Sequence, residues 1–247
     1  MGNGADSVGN CVLEGNGNGE RIHFFNFHVT NIQSNMAEEL SSVTWKNVRF
    51  FHRTSELVPR TVVLFPGSFN PPTVAHIELA RRALIYGDEV VFVLPETFPH
   101  KSYDGVGPAE RLLLVAAALD GEDRFSVAHS EGGLFIEMTR EFQELTPNRP
   151  RVMILCGRDA AERVVNWNYG RPGALAEQLD EYEMLVAARS GAFDPPFGLR
   201  SRIHQLPLVA DMGHISASEL RKRIRSGEEW RHLAPEPIVD QVRVLYG

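Results

Sequence analysis

The sequence predicts an α/β fold: a parallel sheet with helices on both faces, beginning near residue 60. Three observations predict it. Short apolar runs alternate with longer stretches of helical periodicity, the order that builds parallel sheets. Each apolar run is apolar at consecutive positions, as a strand buried on both faces requires. The 247 residues, 43% hydrophobic and 23% charged, have the composition of an ordinary globular protein.

The elements follow in order. Residues 62–65 (VVLF) end in Pro66 and Gly67 and read as a first buried strand. Residues 73–86 place Ile77, Ala80, Ala83 and Leu84 at helical spacing, with Gly87 as the stop. A strand at 89–94 and a helix at 110–119 come next. The RVMILC run at 151–156 is a third strand, followed by a helix at 160–167. EMLVAA at 183–188 is a fourth strand, 218–226 a helix and 237–246 a shorter one. The region 189–207, rich in Pro, Gly and Arg, reads as a long loop. No internal repeat is present.

The first 59 residues differ in texture. Residues 1–19 contain six glycines and four asparagines, too little apolar surface to offset the entropy of ordering them, and read as a flexible leader. Within 20–59, Ile22, Phe24, Phe27 and Val29 form a patchy strand-like run. Residues 48–51 form another, and 36–42 a short helix. A docked accessory element and read-through sequence ahead of a start at Met36 are both open. The domain organisation expected is therefore a leader and accessory segment over 1–59 and one domain over 60–247.

Composition excludes several function classes. With 25 basic and 32 acidic residues the formal charge is −7, which gives no uniform basic surface for nucleic acid but allows a local anion site. Cys11 and Cys156 are too few and too far apart for a disulfide framework or a metal cluster. No apolar run approaches the ~18 residues of a membrane span, and the start lacks the pattern of a secretory signal. Met1-Gly2 suggests myristoylation, but Asp6 stands where Ser or Thr is required. A soluble, cytoplasmic protein is expected.

Two segments carry chemistry. Ligands of open parallel sheets bind beyond the carboxyl ends of the strands. The first strand here ends in PGSFNPPTVAH, from Pro66 to His76. Gly67 permits close backbone approach, Pro71 and Pro72 stiffen the turn, and Thr73 and His76 share one face of the first helical turn. A hydroxyl and an imidazole at a helix N-terminus suit a phosphate. Thr73 alone reads equally well as an N-cap. The second segment is ISASELR, from Ile215 to Arg221. Ser216 or Ser218 can cap the next helix, and Arg221, three residues after Ser218, can grip a phosphate with two N–H groups. By itself it reads first as a capped helix with a solvated basic face.

Taken together the two segments resemble the [HT]xGH and ISSTxIR signatures of the nucleotidyltransferase superfamily, in the same order and similarly separated. Within it the sequence is most similar to nicotinate/nicotinamide mononucleotide adenylyltransferases. Pro95 to Lys101 resembles their P-x₃-PHK loop and Glu110-Arg111 the start of their next helix. Gly157-Arg158-Asp159, with Trp167 eight residues on, resembles their G-x-D…W segment. The resemblance covers about residues 60–247.

It implies a Rossmann-like sheet of the nucleotidyltransferase type and transfer of AMP from ATP to a pyridine mononucleotide. His76 would stabilise charge on the α-phosphate, with the Thr73 hydroxyl on the phosphates. Gly67, Ser68 and Phe69 would line the nucleotide pocket with backbone groups. Lys101 and Arg111 would approach the phosphates or the mononucleotide. Gly157 and Asp159 would hold a ribose, Trp167 would shape the pyridine pocket, and Ser216, Ser218 and Arg221 would take the β- and γ-phosphates.

Ala75 and Ala217 depart from the family pattern. The attacking phosphate is already ionised, so positioning and charge stabilisation suffice, and Mg²⁺ is expected on the triphosphate with few protein ligands. Another phosphate acceptor, such as phosphopantetheine or a polyol phosphate, and a non-catalytic nucleotide-binding regulator are the competing readings. His100 and His214 are placed near the site as possible helpers. His23, His28, His52, His129, His204 and His232 are expected on the surface or in loops.

Overall fold

The structure is a computed structural model that describes residues 10–11, 25–26, 49–53, 58–96, 105–187, 193–207 and 212–247. Two residue pairs, β1 (Asn10–Cys11) and β2 (Phe25–Asn26), form an antiparallel bridge. The main sheet has seven strands: β3 (Arg49–Arg53), β4 (Thr61–Pro66), β5 (Glu89–Pro95), β6 (Phe125–Ser130), β7 (Arg151–Gly157), β8 (Glu183–Ala187) and β9 (Ile203–Gln205). Their order is β3-β6-β5-β4-β7-β8-β9, and every pair is parallel except β3 with β6.

Counted from β4, the parallel strands run 3-2-1-4-5-6, so the winding direction reverses between β4 and β7. At such a reversal the connections leave to opposite sides and open a crevice beyond the strand ends. The parallel, doubly covered sheet expected from the sequence is therefore present, and it places the crevice beside the PGSFNPPT segment.

Seven α-helices are described: α1 (Val74–Ala83), α2 (Pro108–Ala118), α3 (Phe135–Leu145), α4 (Arg158–Asn166), α5 (Ala174–Gln178), α6 (Ala217–Ser226) and α7 (Val239–Tyr246). Strand side chains alternate, and each set is buried. Val63, Phe65, Phe92 and Leu155 pack against α1, α2, α6 and α7 on one face. Val62, Leu64, Val91 and Ile154 pack against α3 and α4 on the other. This is the physical reason for the uninterrupted apolar runs in the sequence. No helix among the described residues is long and apolar enough to cross a membrane.

Several elements depart from the sequence reading. β6 was not expected, because Ser126, His129 and Ser130 break its apolar pattern, yet all three are buried. Ser126 donates to the Glu89 carboxylate and Ser130 to Glu141 Oε2 at 2.9 Å, which makes the polar residues tolerable there. Helices α3 and α5 and strand β9 were also missed; β9 lies inside the stretch read as loop. His129 sits in the sheet, not on the surface, and burial pushes its pKa down to about 4. His52 lies in β3, where burial lowers its pKa, and His204 in β9 contacts the Glu183 carboxylate at 2.5 Å. The short helix expected at 36–42, His23 and His28 lie outside the described residues.

β3 bears on the segment before residue 60. It closes the β6 edge of the sheet in antiparallel register, and Phe51, 6% exposed, joins the core with Phe92 and Phe125. At least this part of the segment is built into the domain. Phe51→Ala should cost about 3–5 kcal/mol of unfolding free energy, as for other buried phenylalanines. Urea denaturation checks it, and an unchanged midpoint would place β3 outside the cooperative unit.

Candidate active site

The turn joining β4 to α1 lies at the topological switch. Gly67 N–H donates to Val93 O at 3.0 Å and so extends the β4–β5 ladder by one bond. A Cβ on Gly67 would sit 2.7 Å from Phe69 Cζ, so the close packing of this ring requires a glycine. Phe69 has φ 41°, in the left-handed region that a bulky side chain rarely adopts. Its ring folds back into the core, with centroids 5.4 Å from Phe65, 5.2 Å from Phe92 and 5.2 Å from His76. The whole residue is 1% exposed, so the Phe69 side chain serves the core.

Three side chains from distant helices grip this turn. Arg111 in α2 is 3% exposed and donates from Nη1 to Ser68 O at 2.9 Å and from Nε to Gly107 O at 3.2 Å. Arg221 in α6 donates from Nη1 to Asn70 O. Tyr246 at the end of α7 donates to Asn70 Oδ1 at 2.6 Å. The Asn70–Pro71 peptide is cis.

The imidazole is held by the helix start itself. Thr73 is the N-cap of α1, and His76 occupies the third helical position. His76 Nδ1 accepts the Thr73 backbone N–H at 3.0 Å and lies 2.8 Å from Thr73 Oγ1. An N–H can only donate, so Nδ1 carries the lone pair and the ring proton belongs on Nε2. The Thr73 hydroxyl, expected on phosphates, is instead turned to His76, and the residue is fully buried.

Among the described residues, the other expected ones lie on α4, α6 and the segments beside them. Gly157 ends β7 and caps α4, and a Cβ there would meet nothing within 4 Å among the described residues. Asp159 is exposed in the first turn of α4. Trp167 ends α4, is 56% exposed, and lines a cavity of about 470 Å³ with Tyr169, Pro172, Leu175 and Leu199. Ser216 caps α6 by accepting Glu219 N–H at 3.1 Å, while Ser218 is exposed in the first turn of that helix. Lys101 and His100 lie outside the described residues, whereas His214 is exposed just before α6.

The profile of the Cytidylyltransferase-like family matches residues 64–223. A probable nicotinate-nucleotide adenylyltransferase of Salinibacter ruber is 33% identical over 190 residues, 72% of this chain and 92% of that protein. One of Shouchella clausii is 31% identical over 203 residues, 76% of this chain and 97% of that protein. The chain belongs to the nicotinate-nucleotide adenylyltransferase family. A solved structure, Plasmodium falciparum nicotinic acid mononucleotide adenylyltransferase complexed with NaAD, shares the fold. Its TM-score is 0.57 at 17% identity, covering 74% of this chain and 94% of that one.

Within this family member, the hydrogen bonds around the turn fall into three groups: Arg111 on Ser68, Arg221 and Tyr246 on Asn70, and Thr73 on His76. The structure adds a backbone contact to each of the two arginines singled out in the sequence. Arg111 is buried on a carbonyl and supports the turn from behind, while Arg221 already holds one backbone oxygen. Asn70 and Tyr246 were missed. The polar residue between Phe69 and two prolines was a signal for Asn70; Tyr246 gave none, since an aromatic near the end of an amphipathic helix reads as core.

Gly67→Ala tests the tightness of the turn. The added methyl must displace the buried Phe69 ring, which should lower stability by about 1–3 kcal/mol, as overpacking does. Thermal or urea unfolding checks this, and a variant as stable as the parent would show the ring free to move.

Proposed function

We propose that this protein transfers AMP from ATP to nicotinate mononucleotide, forming deamido-NAD and pyrophosphate. Family membership supports the reaction class. The single observation that supports the chemistry is the Thr73 N–H to His76 Nδ1 bond at 3.0 Å, which leaves the other ring nitrogen as an N–H donor for a phosphate oxygen.

The acceptor's phosphate oxygen attacks the α-phosphorus of ATP, a new P–O bond forms, and the bond to the β-phosphate oxygen breaks in line. The attacking oxygen is ionised already, so no base is required, and catalysis rests on orientation and charge stabilisation. His76 Nε2–H donates to an α-phosphate oxygen as negative charge builds there. The start of α6, capped by Ser216 and carrying Ser218 and Arg221, takes the departing β- and γ-phosphates. Gly157 and Asp159 hold a ribose, Trp167 and the cavity beside it receive the pyridine ring, and Lys101 assists at the phosphates. Mg²⁺ enters as part of the ATP substrate. On this reading the triphosphate supplies most of its ligands.

The test is pyrophosphate release from Mg-ATP with nicotinate mononucleotide, nicotinamide mononucleotide, phosphopantetheine and a polyol phosphate as acceptors. Nicotinate mononucleotide should exceed phosphopantetheine by at least ~100-fold in kcat/KM; equal use of the two would sink the assignment. His76→Ala should lower kcat ~100-fold or more, with a small change in KM for ATP and a melting temperature near the parent's. Near-normal kcat in that variant would favour a non-catalytic nucleotide binder.

A further inference from the structure

The C-terminal helix reaches the site. Tyr246, next to the last residue, donates its hydroxyl to Asn70 Oδ1 at 2.6 Å across 176 positions of sequence. Asn70 is 9% exposed and its main-chain oxygen is taken by Arg221, so both of its oxygens are claimed by long side chains from different helices. Pro71 and Pro72 follow directly and carry no N–H. The turn therefore cannot be tied down by backbone donors at these two positions and depends on side chains brought from elsewhere.

We propose that Tyr246 is a positioning residue for the AMP-transfer site: its hydroxyl holds the Asn70 side chain and thereby fixes the Gly67–Asn70 backbone that the nucleotide meets. The inference rests on the function proposed above and deepens it. The phenol suits the task. Burial pushes its pKa up, against the opposing pull of Arg111 and Arg221, so the hydroxyl keeps its proton and donates. Donation settles the Asn70 amide with Oδ1 toward Tyr246 and its NH₂ turned away. The ring has a separate job, packing half-buried against the core with Ile238 and Val242. A phenylalanine would keep that packing and lose only the bond to Asn70.

Tyr246→Phe in the full chain isolates the hydroxyl, with Val244→Ala, exposed on the same helix, as control. The hydroxyl variant should lower kcat roughly 5- to 15-fold, about what one hydrogen bond contributes, with KM for ATP changed less than ~3-fold. Its melting temperature should stay within ~3 °C of the parent. Combined with Asn70→Ala it should cause no further loss, since both changes remove the same contact. Independently of any acceptor, the backbone amide resonances of Ser68, Phe69, Asn70 and Thr73 should shift in Tyr246→Phe and not in Val244→Ala. Parental kcat with unmoved turn amides, a loss additive with Asn70→Ala, or a loss accounted for by a lower melting temperature would each overturn the proposal. If the parent uses no pyridine mononucleotide, the functional reading fails, and the amide shifts still judge the role of Tyr246.

Discussion

Everything in the site depends on how the turn after β4 is held. Gly67 to Asn70 must leave the sheet, reverse and enter α1 without the backbone bonds a regular turn would supply, because two prolines follow. Its carbonyls are satisfied from outside, Ser68 O by Arg111 and Asn70 O by Arg221. A buried guanidinium is costly to desolvate, and it is tolerated where its donors meet fixed oxygens. Hydrogen bonds from a charged group are worth about 1.5–3 kcal/mol each. That matches or exceeds the ~1–3 kcal/mol of a left-handed, non-glycine backbone such as Phe69. The arginines thus hold a conformation that the turn alone would not keep.

The same arrangement links fold to chemistry. The reversal between β4 and β7 opens the crevice, the turn fills one side of it, and the N-terminus of α1 follows within a few residues. Thr73 contributes its backbone N–H and hydroxyl to one nitrogen of His76, so the other nitrogen's role is set before any ligand arrives. Phe69 lies edge-on to the imidazole at 79° and limits its tilt. The donor is oriented by covalent neighbours and core packing, which is what electrostatic preorganisation requires.

Much of this was legible in the sequence, for identifiable reasons. Strands β4, β5, β7 and β8 are buried on both faces and therefore read as plain apolar runs. The PGSFNPPT and ISASELR segments combine glycine, prolines and capping residues that few other structures would need together. β6 was not legible because its serines and histidine are made acceptable only by partners such as Glu89 and Glu141, brought near by the fold. The inward turn of Thr73, the burial of Arg111 and the reach of Tyr246 to Asn70 were hidden for the same reason: each is a contact between elements. Residue types singled out the groups to which chemistry is assigned above; they did not predict which groups hold the turn in place.

The central claim is that Thr73 fixes His76 with its proton on Nε2, facing the phosphates. The direct measurement is a long-range ¹H–¹⁵N correlation spectrum of the histidine side chains, with His76 assigned through His76→Gln. The account predicts a neutral ring with a protonated Nε2 and an unprotonated, hydrogen-bond-accepting Nδ1, and perturbation of the Nε2 signal on adding Mg-ATP. A ring protonated on Nδ1, or an Nε2 signal indifferent to ATP, would contradict it.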